Sequence, residues 1–535
     1  MKRSHAMARI PAAFAFIAAA LCAGCTAGKA PGPYLYQPPA ATGTRHAAAA
    51  ASETVRKAHG GTHNVNDAAF DAMFFRNYGV NPFIDADEDR LSTFAVDVDS
   101  GSYTLARAYL DRGHVPPKDA VRVEEFVNYF DYGYRPPEDR TEAFAIHLAA
   151  APSKFGADKV LLRVGLKARQ IDPAQRKTAV LTFVIDVSGS MAREDRLELV
   201  KKSLRLLVDQ LQEGDAVGIA VYGSRGQKHM DHCGAGQREK ILAAIDELRP
   251  SGATCAEEGI RIGYEMAAKA FRKGAINRVI LCSDGVANVG RTGPEAILKQ
   301  IKHHAEAGIT LATIGFGMGN YNDVLMEQLA DKGDGHYAYV DTLAEARRVF
   351  VENLTGTLQT VARDVKVQVE FDPKTVRSYR LLGYENRDVK DEDFRNDKAD
   401  GGEIGAGHSA TALYEIKLWP ERAGHLATVR VRYKDAEGQN VREVARDVAA
   451  SDVSVSFEAA ADSLKLAACV AEFAEILRKS YWARGGRLKD VLDLAQECGR
   501  AYDLRADLKQ LAELIGKAQQ LKADDAELAA GSIEE

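Results

Sequence analysis

The chain has 535 residues, 46% hydrophobic and 27% charged, which is material for more than one core and excludes a fibrous or wholly disordered protein. A formal net charge of -6 and a pI near 6.2 lack the basic excess of a general nucleic-acid binder, so no nucleic-acid partner is expected.

At the N-terminus, Lys2, Arg3 and Arg9 precede an apolar run from Ile10 to Leu21 that is short for a bilayer span but suits the h-region of a signal peptide. The next residues, Leu21-Cys22-Ala23-Gly24-Cys25, resemble a bacterial lipoprotein cleavage site, with Cys22 standing where Leu is usual. That resemblance implies that residues 1–25 form a lipoprotein signal peptide and that Cys25 becomes the lipidated first residue. An ordinary cleaved signal peptide is the alternative, and under either reading the chain is exported. Thr26 after the cysteine implies an outer-membrane destination facing the periplasm. Residues 26–65 are rich in Ala, Gly, Pro, Thr and His without an apolar period. They read as a flexible tether with a stretched reach on the order of 100 Å.

Residues 66–140 precede the first clear strands. Within them, Val96-Asp97-Val98-Asp99-Ser100-Gly101 superficially resembles the Asp-x-Asp motif of haloacid-dehalogenase-type phosphotransferases, or an aspartate-rich calcium loop. Gly101 stands where the phosphatase pattern wants Thr or Val, and the motif reads as a structural turn. Ala143 to Leu148 and Lys159 to Leu166 then read as strands, within a first flanking stretch of residues 141–170.

Residues 178–355 carry the chemistry. Ala179 to Ile185 is a continuous apolar, β-branched run, the mark of a strand buried on both faces of a parallel sheet. It leads into Asp186-Val187-Ser188-Gly189-Ser190. Leu197, Val200, Leu204, Leu207, Val208 and Leu211 follow at amphipathic-helix spacing. Further strands are expected at Ala216 to Val221, Arg278 to Ser283, Ile309 to Gly315 and His336 to Val340. Helices are expected at about Gln237 to Leu248, Ala256 to Phe271, Pro294 to Ala307, Asn322 to Ala330 and Leu343 to Leu354. This alternation predicts a doubly wound, mostly parallel α/β sheet. Ligands collect at the carboxyl ends of such strands, where Asp186, Ser188 and Ser190 follow one strand and Asp284 another. Thr254 lies in the loop before a helix. The five side chains offer only oxygen, which selects Mg2+, Mn2+ or Ca2+ over zinc or copper.

Asp-x-Ser-x-Ser at 186–190, with Thr254 and Asp284, resembles the metal-ion-dependent adhesion site of von Willebrand factor type A (VWA) domains. The resemblance implies direct coordination by Ser188, Ser190 and, with ligand bound, Thr254, with Asp186 and Asp284 acting largely through water. Hydroxyl ligands bring no formal charge, so the cation stays electrophilic, and a partner's carboxylate can complete its shell. Asp-x-Ser-x-Ser alone also describes a turn capping the next helix. Cys255, beside Thr254, stands where relatives often have Asn. Phe94 to Tyr103, Pro116 to Phe126, Asn128 to Phe130, Gly315 to Asn322, Gly383 to Arg387 and Gly405 to Glu415 are similar to landmarks of bacterial YfbK-type VWA lipoproteins.

After the central domain, Val365 to Phe371, Tyr379 to Tyr384, Thr411 to Leu418 and Thr428 to Tyr433 read as strands. Residues 363–450 with 141–170 thus suggest a β-sandwich into which the VWA domain is inserted. Residues 455–535 turn helical, with Leu464, Ala467, Val470, Phe473 and Leu477 on one face and further helices from Leu488 and Leu504. The odd set Cys233, Cys255, Cys282, Cys469 and Cys498 cannot pair fully. Cys282 reads as a buried hydrophobe, while Cys233 with Cys255 and Cys469 with Cys498 stay open as disulfides.

Gly315-Phe-Gly-Met-Gly lacks dinucleotide-loop spacing and reads as a loop at the sheet edge. His229, His232, His303 and His304 lack carboxylate partners at zinc spacing, and His303 and His304 read as solvent-facing on a helix. No Gly-x-Ser-x-Gly elbow or other local catalytic signature occurs, and no small-molecule substrate is identified. The expectation is a lipid-anchored cell-envelope protein, not an enzyme, that binds an acidic side chain of a protein partner through the cation. The alternative is a metal-assisted hydrolase using the same ion.

Overall fold

A computed structural model describes residues 73–531 apart from 140, 286–293, 319–320 and 421–422. The expected signal peptide, the lipidation site Cys25 and the tether of residues 26–65 lie outside the described residues.

The central domain is a six-stranded sheet in the order Tyr337–Val340, Ile309–Phe316, Ile276–Ser283, Ala179–Asp186, Ala216–Tyr222, Gly226–Gly234. Five strands run parallel, and Gly226–Gly234 closes one edge antiparallel. Ala179–Asp186 is buried at every position, because helices cover both faces and no residue alternates toward water. One face packs Phe183, Ile185, Leu204, Ile241 and Phe350. The other packs Val184, Ile260, Leu281 and Leu325. The edge strand Gly226–Gly234 escaped the sequence pattern because most of its residues are polar and partly exposed.

Two expectations for this domain need correction. The single helix expected from Leu343 to Leu354 is three pieces: Leu343–Arg347, a wider π-helical turn Arg348–Glu352, and Leu354–Leu358. His304 is only partly solvent-facing, because one face of its ring stacks on Tyr264 at 4.2 Å between ring centroids. His303 is exposed as expected. The strand expected to end at Gly315 runs on to Phe316, and glycine is needed at 315 because a Cβ there would lie 2.0 Å from the Tyr321 hydroxyl.

Two antiparallel sheets form the sandwich. One has the order Ile84–Asp85, Val376–Leu382, Ser409–Leu418, Val160–Ala168, Phe144–Pro152. The other has the order Gly402–Gly405, Thr360–Phe371, His425–Asp435, Val441–Ala449, with Leu91–Ala95 also on Thr360–Phe371. Their inner faces share one core that includes Phe144, Leu162, Val164, Val367, Val369, Val429 and Val431. The central domain leaves this sandwich after Val160–Ala168 and returns at Thr360–Phe371, so it is inserted by two connections as expected.

The segment before the sandwich contains two helices that the sequence pattern did not show, Gly101–Asp111 and Val123–Asn128. The Asp97-x-Asp99 motif is buried and structural. The Asp99 carboxylate accepts from the Tyr337 amide at 2.9 Å and the Asp97 carboxylate from the Asp99 amide at 2.9 Å. Arg387 lies within 3.5 Å of Asp97 and 3.7 Å of Asp99. Burial, with Asp97 beside it, pushes the Asp99 carboxyl well above the usual range.

The C-terminal helices Asp462–Leu477, Leu488–Ala501 and Ala506–Gly531 share a core with Val123–Asn128 and the outer face of the first sheet, where Leu161 and Leu413 meet Leu464, Val470 and Phe473. No helix among the described residues is long and apolar enough to cross a membrane. Neither disulfide left open by the cysteine count is formed. All five described cysteines are free thiols, with Cys282 buried as expected.

Candidate metal centre

Parallel pairing sets the height of every group at the carboxyl edge of the central sheet. Ile185 is level with Cys282, so Asp186 stands beside Ser283, immediately before Asp284. From Ala179–Asp186 the chain crosses to Ala216–Tyr222 on one side, and Ile276–Ser283 lies on the other. The loops leaving these strands therefore diverge and open a crevice, the switch point at which doubly wound sheets place ligands.

Asp186 is fully buried, and its two oxygens are held from opposite sides. Oδ1 accepts from the Ser188 amide at 2.8 Å, and Oδ2 accepts from the Ser283 hydroxyl at 3.0 Å. Ser283 Oγ in turn accepts from the Gly285 amide at 3.1 Å. Burial first, and the negative charge of Asp284 second, push the Asp186 carboxyl up to about 6 against the pull of these donors.

Ser188 precedes a 3-10 turn, Gly189–Asp195, whose tight winding brings Ser190 round to the same side. The two hydroxyls are hydrogen-bonded to each other, with their oxygens 3.0 Å apart. Thr254 is half-buried in a loop tied to this turn by its backbone. The Gly189 amide donates to the Gly252 carbonyl at 2.9 Å, and the Ser251 amide to the Val187 carbonyl at 2.6 Å. On its other side, the Cys255 amide donates to the Gly223 carbonyl at 2.8 Å. The fold thus gathers all five sequence-predicted residues at one edge: Asp186, Ser188 and Ser190 through direct contacts, Asp284 by strand register, and Thr254 through its loop.

The donor set fits a hard cation. Adjacent ligands of an octahedral ion with bonds of about 2.1 Å stand about 3.0 Å apart, which is the spacing of Ser188 Oγ and Ser190 Oγ. Two carboxylates lie beside them, and imidazole and thiolate contribute nothing to the set. A bound ion would supply Lewis acidity toward an oxygen ligand.

Sequence reasoning missed Arg196 and Ser283. Arg196 Nη1 donates to Asp284 Oδ2 at 2.6 Å, and its Nη2 to the Met318 carbonyl. Ser283 is the last residue of its strand and read simply as β-structure. Its position one residue before Asp284 was the available signal. Tyr222 was missed as well. It is the register partner of Asp186, and burial together with the Asp186 charge pushes its phenol well above the usual range.

Residues 181–353 match the family model described as von Willebrand factor type A domain. Residues 69–163 match the model described as von Willebrand factor, and residues 356–521 the model described as Uncharacterized protein YfbK, C-terminal. The chain is 35% identical over 448 residues to the Uncharacterized protein YfbK of Escherichia coli (strain K12), covering 79% of this chain and 77% of that protein. It is 27% identical over 260 residues to inter-alpha-trypsin inhibitor heavy chain H3 of Homo sapiens, covering 44% of this chain and 28% of that one. Among solved structures, a von Willebrand factor type A protein from Catenulispora acidiphila aligns with a TM-score of 0.43 and 17% identity, over 70% of this chain and 90% of its own.

Proposed function

Because the chain belongs to the YfbK family and carries a VWA domain, we propose that Asp186, Ser188, Ser190, Thr254 and Asp284 hold a divalent cation that captures an acidic side chain of a protein partner. The VWA domain itself implies a protein-interaction or adhesion role. The ion is most simply Mg2+, and the group it captures is a carboxylate. The observation that carries it is the pair of serine oxygens 3.0 Å apart beside two buried carboxylates at the switch point of the sheet. Neutral hydroxyl ligands leave the ion short of negative charge, and a carboxylate from outside supplies it.

The reading includes export and lipid attachment at Cys25, with residues 26–65 as the tether. Its support is the apolar run from Ile10 to Leu21 and the cysteine that follows small residues. A domain on such a tether would sample partners on the same membrane at high effective concentration.

Capture from a cell-envelope extract tests the reading. The immobilised chain, presented in Mg2+, should retain a partner that EDTA releases and that Asp186→Ala fails to retain. Retention indifferent to both treatments would remove the cation from the mechanism. Turnover of a substrate that needs both the metal and Asp186 would favour the hydrolase instead.

A further inference from the structure

One cationic side chain stands inside the candidate centre. The Arg196 guanidinium lies 2.6 Å from Asp284 Oδ2, with the two side chains only 5% and 6% exposed. Its position is fixed from two further directions. Nη2 donates to the Met318 carbonyl. The stem lies against Gly317, whose φ of +75° and bare α-carbon are both required, since a Cβ there would sit 2.3 Å from Nε. The guanidinium is thus held at this place by the Met318 carbonyl and the Gly317 backbone as well as by Asp284.

We propose that Arg196 is the residue that makes this centre select an anionic ligand, by cancelling the charge of Asp284 while a divalent cation is bound. The proposal rests on the cation site argued above. Among the described residues, the centre brings two carboxylates, one guanidinium and three neutral hydroxyls. With a divalent ion added, one net positive charge remains at the coordination position open to a partner. Without the guanidinium, the ion and the two carboxylates would cancel. A carboxylate is drawn to the first arrangement, whereas water or a carbonyl serves the second as well. The same positive charge also repels the metal, so cation affinity is held down as ligand affinity is raised.

These opposite signs separate the role from a purely structural one. A residue that only props Asp284 in place would weaken metal and ligand binding together when removed. A residue that sets the charge should tighten one and loosen the other.

The test uses the full chain and Mn2+ as the probe metal. Calorimetric titration of Arg196→Gln should show Mn2+ bound about tenfold more tightly than by the unmodified chain. Water-proton relaxation of the Mn2+-loaded proteins, titrated with acetate, should show acetate bound about tenfold more weakly by Arg196→Gln. Arg196→Lys, which keeps the charge, should stay near the unmodified chain in both readings. Should Arg196→Gln fail to fold because Asp284 is left unpaired, the double variant Arg196→Gln/Asp284→Asn removes both charges. It should bind Mn2+ more tightly than Asp284→Asn alone.

Unchanged or weaker Mn2+ binding by Arg196→Gln, or by the double variant relative to Asp284→Asn, overturns the proposal. So does acetate binding unaffected by the loss of charge. Failure of the unmodified chain and every variant to bind Mn2+ would instead overturn the cation site, and this inference with it. Binding by Arg196→Gln but not by the unmodified chain would support the repulsion of the metal by Arg196.

Discussion

Arg380→Ala should lower the stability of the chain by about 3–5 kcal/mol, the usual loss when one member of a buried ion network is removed. Arg380 is 2% exposed, on the strand Val376–Leu382. Its Nε donates to Glu415 at 3.0 Å on the neighbouring strand, and both terminal nitrogens reach Glu475 at 3.1 Å on the helix Asp462–Leu477. Lys159 also pairs with Glu415 at 2.9 Å, and Arg478 with Glu475. The network therefore rivets the C-terminal helices to the sandwich, and truncating Arg380 strands two buried carboxylates with fewer partners. Thermal or urea unfolding gives the measurement. An unfolding midpoint unchanged from that of the parent chain would mean that the contact is incidental. Arg380→Met combined with Glu475→Gln should recover part of the loss, because it removes opposite charges together.

The second large effect concerns function and should leave the fold intact. Asp186→Asn should weaken Mg2+ or Mn2+ binding about 10- to 100-fold, the range for groups that orient metal ligands or bind through water. The amide preserves an acceptor for the Ser188 amide and a partner for Ser283. Metal-free stability should not fall. The folded-state pKa of Asp186 is raised to about 6, so its ionisation penalises the folded chain progressively as pH rises from about 4 to about 6, and fully above that. Removing the charge relieves that penalty at neutral pH and changes little below pH about 4. Calorimetry with and without metal reads both quantities. A variant that binds metal as tightly as the parent would detach Asp186 from the centre, and a large fall in metal-free stability would make it a structural residue.

Much of the centre was legible because its residues follow strands that announce themselves. Asp186, Ser188 and Ser190 follow a run that is apolar except for Thr182, and Asp284 follows a second strand, directly after Cys282-Ser283. Strand ends in a parallel sheet share one edge, so sequence position translated into spatial proximity. Arg196 was not legible. In the sequence it is the residue before Leu197 at the head of an amphipathic helix, and nothing local says that it turns back to a carboxylate 88 positions later. The helix Gly101–Asp111 was hidden for a different reason. It is enclosed by the central domain and the C-terminal helices, so Ser102, Thr104 and Arg107 are buried along with its apolar residues and polar residue type no longer marks an exposed face. Arg107 meets Asp341 and Glu345 of the central domain, a pairing across more than 230 positions that periodicity cannot show. At the π-helical turn Arg348–Glu352, Arg348 likewise meets the distant Ser100 and the face of Tyr129, contacts that local pattern cannot show.

Anomalous diffraction from crystals of the full chain grown with Mn2+ would locate a cation held by these oxygens. One strong peak is expected within coordination distance, about 2.0–2.6 Å, of both Ser188 Oγ and Ser190 Oγ, with Asp186 and Asp284 in contact directly or through water, and Asp186→Asn should need a higher Mn2+ concentration to show the same peak. A saturating Mn2+ concentration that leaves this edge of the sheet without a peak, or an ion bound elsewhere with Ser188 and Ser190 uninvolved, would contradict it.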